Sequence, residues 1–468
     1  MRVSRGSARR LNGLLGSLPG LAGTSVTFSL KPGAANAGSA TEPASAAIAG
    51  WLADQITRPP GLILLWLLGL LNVFRLAIQL PPKFADFNHY YVSALALREG
   101  INPYVTRLDP MARSLGLDLG GITKASYPPT FLLCFEALTH LPPHPAYWTW
   151  IGLNVAALSA ALYLLLAVER PLDGRRASLF LALTLMYPPL YQEFYYGETQ
   201  CLILLLAVLM MVCAERGLDV AAGLLLALAG MLKVFPFALA GYLACRRQWR
   251  ALAWTAVGVA LIGLVTLWRV GPVAWSFTEA IPFLTNRFWL SDPDNISINA
   301  VVSRIFWPQG DRPFPPAADA IRRVVIALAE LGVFAVTARA TVRLKAESER
   351  RWQAFSLWMI AMIVLSPTAF PKYLIMLAVP FTAIARTATR RGVPARAARA
   401  ALASYVLAFS HQPLMFFERV FDLSSTSMVD RVAKEYWVLV VLLAYLASYW
   451  NVTGDHAPIP DAQRSPSR

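Results

Sequence analysis

Long apolar runs separated by short basic clusters set the pattern of this chain. Continuous runs of this kind predict membrane-spanning helices, not the alternating strands of a lipid-facing barrel. Gly61–Leu80 is the first convincing run. Further spans are expected near 147–168, 177–193, 199–214, 219–232, 234–245, 251–269, 320–341, 352–367, 372–386, 398–417 and 434–452, twelve in all. Several hold only 12–16 residues, too few to cross about 30 Å of hydrocarbon at about 1.5 Å per residue. Short or broken helices at membrane depth surround a cavity rather than face lipid. The expected fold class is therefore all-α: an integral membrane, polytopic helical bundle of about twelve transmembrane helices with two long extracytoplasmic loops, 81–129 and 270–319.

Composition agrees with this reading. The 468 residues are 56% hydrophobic and 15% charged, where a soluble chain carries about 25% charge. Mean hydropathy is +0.49. A soluble enzyme, a disulfide scaffold and a disordered protein are excluded. The formal charge of +15 comes from 42 Lys and Arg against 27 Asp and Glu. These basic residues cluster between apolar runs, as the positive-inside rule requires, so topology explains them and no nucleic-acid partner is expected. The clusters at Arg170/Arg175/Arg176, Arg246/Arg247/Arg250, Arg339–Arg351 and Arg386–Arg399 should be cytoplasmic. Residues 1–58, led by Arg2, Arg5, Arg9 and Arg10, are expected to form a flexible cytoplasmic tail, with the membrane domain at 59–452 and a second tail at 453–468. Segment 130–142 is apolar, but counting it as a crossing would put the Arg170 cluster outside; it is expected to be re-entrant or interfacial. The four cysteines form no CxxC pair and read as packing residues. Tyr147, Trp148, Trp150, Trp275 and Trp289 read as an interfacial aromatic belt.

Most polar residues outside tails and basic clusters lie in the two long loops. The first opens Lys83-Phe84-Ala85-Asp86-Phe87-Asn88-His89-Tyr90-Tyr91. In a helix, Asp86, His89 and Tyr90 share one face. A carboxylate fixed just above the membrane, partly out of water, gains proton affinity and suits a general base. Equally, Asp86 can be the N-cap of an amphipathic helix continuing through Ala94 and Leu97. Lys233 lies between two short apolar segments, and a lysine at that depth needs a cavity or a partner. His140 and His144 are separated by Pro142 and Pro143, which break the helix that would align them, so no metal site is expected.

Taken in order, these segments resemble the GT-C glycosyltransferases, and most closely glycosyltransferase family 87, the polyprenyl-phosphate-mannose-dependent mannosyltransferases. The resemblance rests on Asp86 after the first span, Tyr90-Tyr91, Glu99-Gly100-Ile101-Asn102-Pro103-Tyr104 and Tyr127-Pro128-Pro129. It continues through Tyr187-Pro188-Pro189, Tyr196-Gly197-Glu198-Thr199-Gln200, Ala222-Gly223 to Lys233-Val234-Phe235-Pro236, Asn295-Ile296-Ser297-Ile298-Asn299 with Arg304, and Ser366-Pro367. Two departures stand out. Glu198 and Gln200 occupy positions where Gln and Asn are common in the family, and Lys372 follows Ser366-Pro367 where the family shows Trp and then His.

The resemblance implies transfer of a hexose, mannose first, from a polyprenyl phosphate to a hydroxyl of an envelope glycolipid or glycan. Transfer would occur with inversion on the outer side of the inner (plasma) membrane. It implies Asp86 as base; Lys233, Arg304 and Lys372 at the donor phosphate; and His89, Tyr90, Glu198, Gln200, Asn295 and Asn299 at sugar or acceptor. No cofactor or metal is expected; the partners are the lipid donor, the acceptor and membrane lipids. A lipid transporter or flippase, or a non-catalytic partner in envelope polysaccharide assembly, is the alternative class. Paired intramembrane charges in symmetric halves would favour the transporter.

Overall fold

The computed structural model describes residues 59–79, 86–167, 172–284, 286–306, 315–344, 348–390, 394–421 and 436–454, all within one unit, Gln55–Arg468. The expected tail at 1–58 lies outside the described residues, as does all but the start of that expected at 453–468, where Thr453 still belongs to a helix. Among the described residues the secondary structure is helical, with no strand.

Helix α1 (Pro59–Gln79) exposes Ile63, Leu64, Leu67, Leu71 and Phe74, as a lipid-facing span does. Helix α2 (Asp86–Arg98) differs from the amphipathic helix expected of its sequence, because it is buried from Phe87 through Ala96 on every face. The rest of the first outer loop folds over it. Asn88 Nδ2 donates to the Asp118 carbonyl at 2.9 Å and His89 Nε2 to that of Leu119 at 2.8 Å. The polar face is thereby satisfied inside the protein. After α3 (Asp109–Ser114), segment 130–142 forms α4 (Pro129–Glu136) and a 3-10 turn. Eight helical residues span only about 12 Å, less than a crossing; α4 packs on α2.

Helix α5 (Pro143–Ala167) is followed by a chain broken twice, into α6 (Gly174–Met186), α7 (Pro188–Tyr196) and α8 (Gln200–Glu215). The first break is written as Tyr187-Pro188-Pro189: proline lacks an N–H and holds Tyr187 extended. The second is a 116° bend at Gly197. Gly197 takes φ 65°, and a Cβ there would lie 3.0 Å from Phe87 Cβ, so backbone and packing both require glycine. Trp150 Nε1 donates to the Gly197 carbonyl at 2.7 Å, satisfying backbone that the broken helix leaves open. Tyr147 and Trp150 are thus interior residues and do not join an interfacial belt.

Helix α9 (Asp219–Leu232) packs on α11 (Trp249–Val270). At Gly223 a Cβ would come within 2.3 Å of the Ala251 carbonyl oxygen, so the close approach needs glycine. Between them a 3-10 turn, Phe235–Ala238, precedes α10 (Leu239–Cys245). The second outer loop carries α12 (Ala280–Leu284), α13 (Arg287–Ser291) and α14 (Ile298–Phe306). Helices α15 (Pro316–Arg343), α16 (Ser348–Val364), α17 (Ala378–Arg390), α18 (Ala395–Phe421) and α19 (Tyr436–Thr453) complete the bundle, with a 3-10 segment, Pro371–Leu377, before α17.

Among the described residues five helical stretches are long and apolar enough to cross a membrane: Pro59–Leu76, Pro143–Ala167, Trp249–Pro282, Pro316–Arg343 and Tyr436–Thr453. The bent pair α7–α8 raises this to six. Several of the remaining expected spans form shorter pieces, such as α9 and Phe235–Cys245. Their breaks gather around one cavity.

Candidate active site

A cavity of about 940 Å³ lies among the two outer loops and the helix breaks. Its charged walls are Asp86, Glu198, Asp292, Asp294, Lys233 and Lys372. Each central charge sits at an interruption of helix. Asp86 is the first residue of α2. Glu198 lies in the α7–α8 bend. Lys233 ends α9 with extended backbone, φ −143° and ψ 132°. Lys372 is the second residue of the 3-10 segment opened by Pro371.

Four of these side chains form one ionic chain. Lys372 Nζ is in hydrogen-bond contact with Asp86 Oδ2 and donates to Glu198 Oε1 at 2.8 Å. Lys233 Nζ donates to Glu198 Oε2 at 2.7 Å and to the Tyr373 hydroxyl at 3.4 Å. It also stands 4.8 Å from the centre of the Tyr373 ring. Tyr90 Oη donates to Glu198 Oε2 at 2.8 Å, and the Thr199 amide donates to the same oxygen at 3.1 Å. Gln200 Nε2 reaches it at 3.4 Å. Asp86 receives one further contact, from Tyr127 Oη at 3.3 Å. Side-chain exposure separates the carboxylates: 19% for Asp86 and 3% for Glu198. Asp86 therefore faces the open cavity, and Glu198 is the buried pivot.

The expected site residues divide accordingly. Asp86, His89, Glu198, Lys233 and Lys372 line the cavity. Tyr90 and Gln200 stand behind Glu198, fully buried. Tyr90 is held by rings of Tyr127, Phe131 and Phe135 at 4.5, 4.7 and 5.5 Å, which aims its hydroxyl at the carboxylate. Asn295 is buried in the second loop and ties it to the segment before Pro371. Its Oδ1 accepts from the amides of Ser297 at 3.2 Å and Ala369 at 3.1 Å, and its Nδ2 donates to the Trp289 carbonyl at 2.9 Å. Arg304 Nη1 donates to the carbonyls of Asp292 at 2.7 Å and Asn295 at 2.9 Å. Arg304 thus braces the loop and is not among the cavity walls. Asn299 lies half-buried in the first turn of α14. Tyr127, Tyr373, Asp292 and Asp294 were missed as site residues. Tyr127 precedes Pro128-Pro129 and Tyr373 follows Lys372, but nothing local shows where their hydroxyls point.

Removal from water pushes the Asp86 carboxyl above the ordinary carboxylate range; Lys372 pulls it down and Glu198 pushes it up. Burial lowers His89 to about 4, so it is a neutral donor to Leu119 at pH 7. Asp294 rises to about 6 through the surrounding protein and the neighbouring Asp292, while keeping contact with solvent. Among the described residues no group of three or more His, Cys, Asp or Glu is placed to hold a metal ion.

A second cavity, of about 720 Å³, opens between α1, α5, α6 and α7. Its walls include Trp66, Leu76, Trp148, Tyr163, Leu181 and Phe194, with no charged residue. Helix α7 contributes to both cavities, with Tyr191 and Phe194 in the apolar one and Gln192 and Tyr196 in the charged one.

The helical chain thus carries stretches long enough to cross a membrane and a charged cavity lined in part by its two long loops. The profile of glycosyltransferase family 87 matches residues 126–367, more than half of the 468 residues. The chain belongs to that family and is a membrane glycosyltransferase. No curated protein and no solved structure matches it significantly.

Proposed function

We propose that the protein transfers a hexose, most simply mannose, from a polyprenyl phosphate to an acceptor hydroxyl on the extracytoplasmic side of the inner membrane. The observation that supports this reading is the convergence of a part-exposed carboxylate, Asp86, ion-paired to Lys372, with Lys233 on one cavity lined by the two long loops. Asp86 is the general base. It takes the proton of the acceptor hydroxyl as that oxygen attacks the anomeric carbon from the side opposite the phosphate. The carbon–oxygen bond to phosphate breaks, its electron pair stays on the leaving polyprenyl phosphate, and the sugar is inverted. Lys372 and Lys233 meet the charge that develops on phosphate, where a water-poor site strengthens the attraction. Glu198 holds both lysines, Tyr90 and Gln200 hold Glu198, and Asn295 with Arg304 holds the loop wall. His89 is a neutral wall residue open to sugar contact. The acceptor is a lipid-linked or glycan hydroxyl, and an outward-facing cavity follows if the basic clusters between apolar runs lie in the cytoplasm.

Label transfer from two donors tests the donor class. Radiolabelled polyprenyl-phosphate mannose should yield labelled lipid product with the reconstituted chain, and a nucleotide-linked mannose should yield none. Label arriving from the nucleotide sugar alone overturns the reading.

A further inference from the structure

The charges of the site are already engaged before any substrate arrives. Among the described residues lining the cavity the lysines are Lys233 and Lys372, and four carboxylates face them: Asp86, Glu198, Asp292 and Asp294. A donor phosphodiester is an anion, and it meets no spare lysine there. One of the existing bonds must be exchanged.

The two carboxylates that share Lys372 hold it unequally. Glu198 is 3% exposed and accepts four further donors, from Tyr90, Thr199, Gln200 and Lys233. Its charge stays compensated whatever Lys372 does at its other end. Asp86 is 19% exposed and, among the described residues, is bonded besides Lys372 to the Tyr127 hydroxyl, at 3.3 Å. An ammonium has three N–H donors, so Lys372 can keep Glu198 and trade Asp86 for another oxygen.

We propose that Lys372 is a shared cation, which pairs with and masks Asp86 until the donor phosphate takes it over, so that the base is freed only when the donor is bound. This inference rests on the function proposed above and deepens it. A carboxylate bonded to an ammonium has its lone pair committed and is a poor base. When a phosphate oxygen replaces it, Asp86 loses a cation and gains an anionic neighbour, and both raise its affinity for a proton. No covalent bond changes in this step; one hydrogen bond replaces another and the ammonium keeps its protons. An acceptor arriving first meets a masked base, so productive turnover runs donor first.

A double-mutant cycle on donor binding tests this. The full chain in nanodiscs is titrated with polyprenyl-phosphate mannose as wild type, Asp86→Asn, Lys372→Gln and the double variant. Lys372→Met fills the same corner if the Gln variant does not fold. Asp86→Asn should bind roughly tenfold tighter, because Lys372 is released, and Lys372→Gln roughly tenfold more weakly; each factor is about that of one charge-assisted hydrogen bond. Adding Asp86→Asn to Lys372→Gln should change little. Equal tightening in both backgrounds means simple repulsion between Asp86 and phosphate and overturns the sharing. Unchanged or weaker binding by Asp86→Asn overturns it as well. Loss of binding in every folded variant overturns the donor class along with it, whereas a wild type that transfers mannose but shows an additive cycle overturns the shared cation alone.

Discussion

Replacing Glu198 by Gln removes one negative charge at almost constant volume, and so isolates what the buried carboxylate does. Five donors converge on it, two of them lysines. The amide keeps one oxygen for Tyr90 or the Thr199 amide, but it turns an NH2 toward cations that it no longer neutralises. Lys233, only 8% exposed, is left with the Tyr373 hydroxyl and ring. Removing one partner of a buried ion pair costs about 3–5 kcal/mol, and a hydrogen bond kept by the amide oxygen offsets about 1 kcal/mol. Lys372 suffers less, since Asp86 remains. A net loss of about 2–4 kcal/mol follows. Denaturant-induced unfolding in mixed micelles reads it directly. Transfer should fall as well, by at least about tenfold, because Lys372 then settles on Asp86 and Lys233 loses its position. A Glu198→Gln protein within about 0.5 kcal/mol of wild type, the spread of an ordinary surface substitution, and with undiminished transfer, would refute the pivot.

Three further outcomes are expected. Gly197→Ala forces a left-handed residue and brings a Cβ to 3.0 Å from Phe87; it should cost at least about 1–2 kcal/mol and depress transfer by shifting the neighbouring Glu198. Asn295→Ala leaves the Ser297 and Ala369 amides without their acceptor; limited proteolysis should cut the second outer loop faster, with a stability loss of about 2–4 kcal/mol for two buried donors. His89, lowered from 6.5 to about 4, binds its proton more readily in the unfolded chain. Stability should be full above about pH 6.5 and decline toward pH 4, by at most about 3 kcal/mol; His89→Asn should flatten that acid limb in pH-dependent thermal unfolding.

Much of the fold was legible because apolar runs and proline pairs are local signals. Tyr187-Pro188-Pro189 splits the run expected as one span at 177–193, although proline there is a local break signal, and the bend at Gly197 uses a residue free to take positive φ. Length was less legible: the run at 234–245 is apolar enough to be read as a span, yet it forms a 3-10 turn and a short helix. The environment of α2 was not legible. Its sequence carries Asp86, His89 and Ser93 at helical spacing, and only the loop folding back over it turns a surface pattern into a buried one. Asp86 and Lys233 stood out because a charge beside an apolar run demands a reason, Lys372 only through the family resemblance, and the structure brings the three to one cavity. Arg304 and Asn295 were expected at ligand but hold backbone carbonyls and amides, because a loop needing long-range hydrogen bonds uses the same residue types as a sugar site. Tyr127 was passed over, since a hydroxyl aimed at a residue 41 positions away leaves no local mark.

The central claim is that Asp86 is the base of a lipid-linked sugar transfer. The full chain in nanodiscs, with radiolabelled polyprenyl-phosphate mannose and a host lipid extract, should be assayed as wild type beside Asp86→Asn. The account predicts labelled product from wild type and a loss of about 10²–10⁴-fold in the variant, with folding unchanged and donor binding retained. Equal transfer by the two proteins would contradict it and move the search for the base to Asp294, an exposed carboxylate at the same cavity.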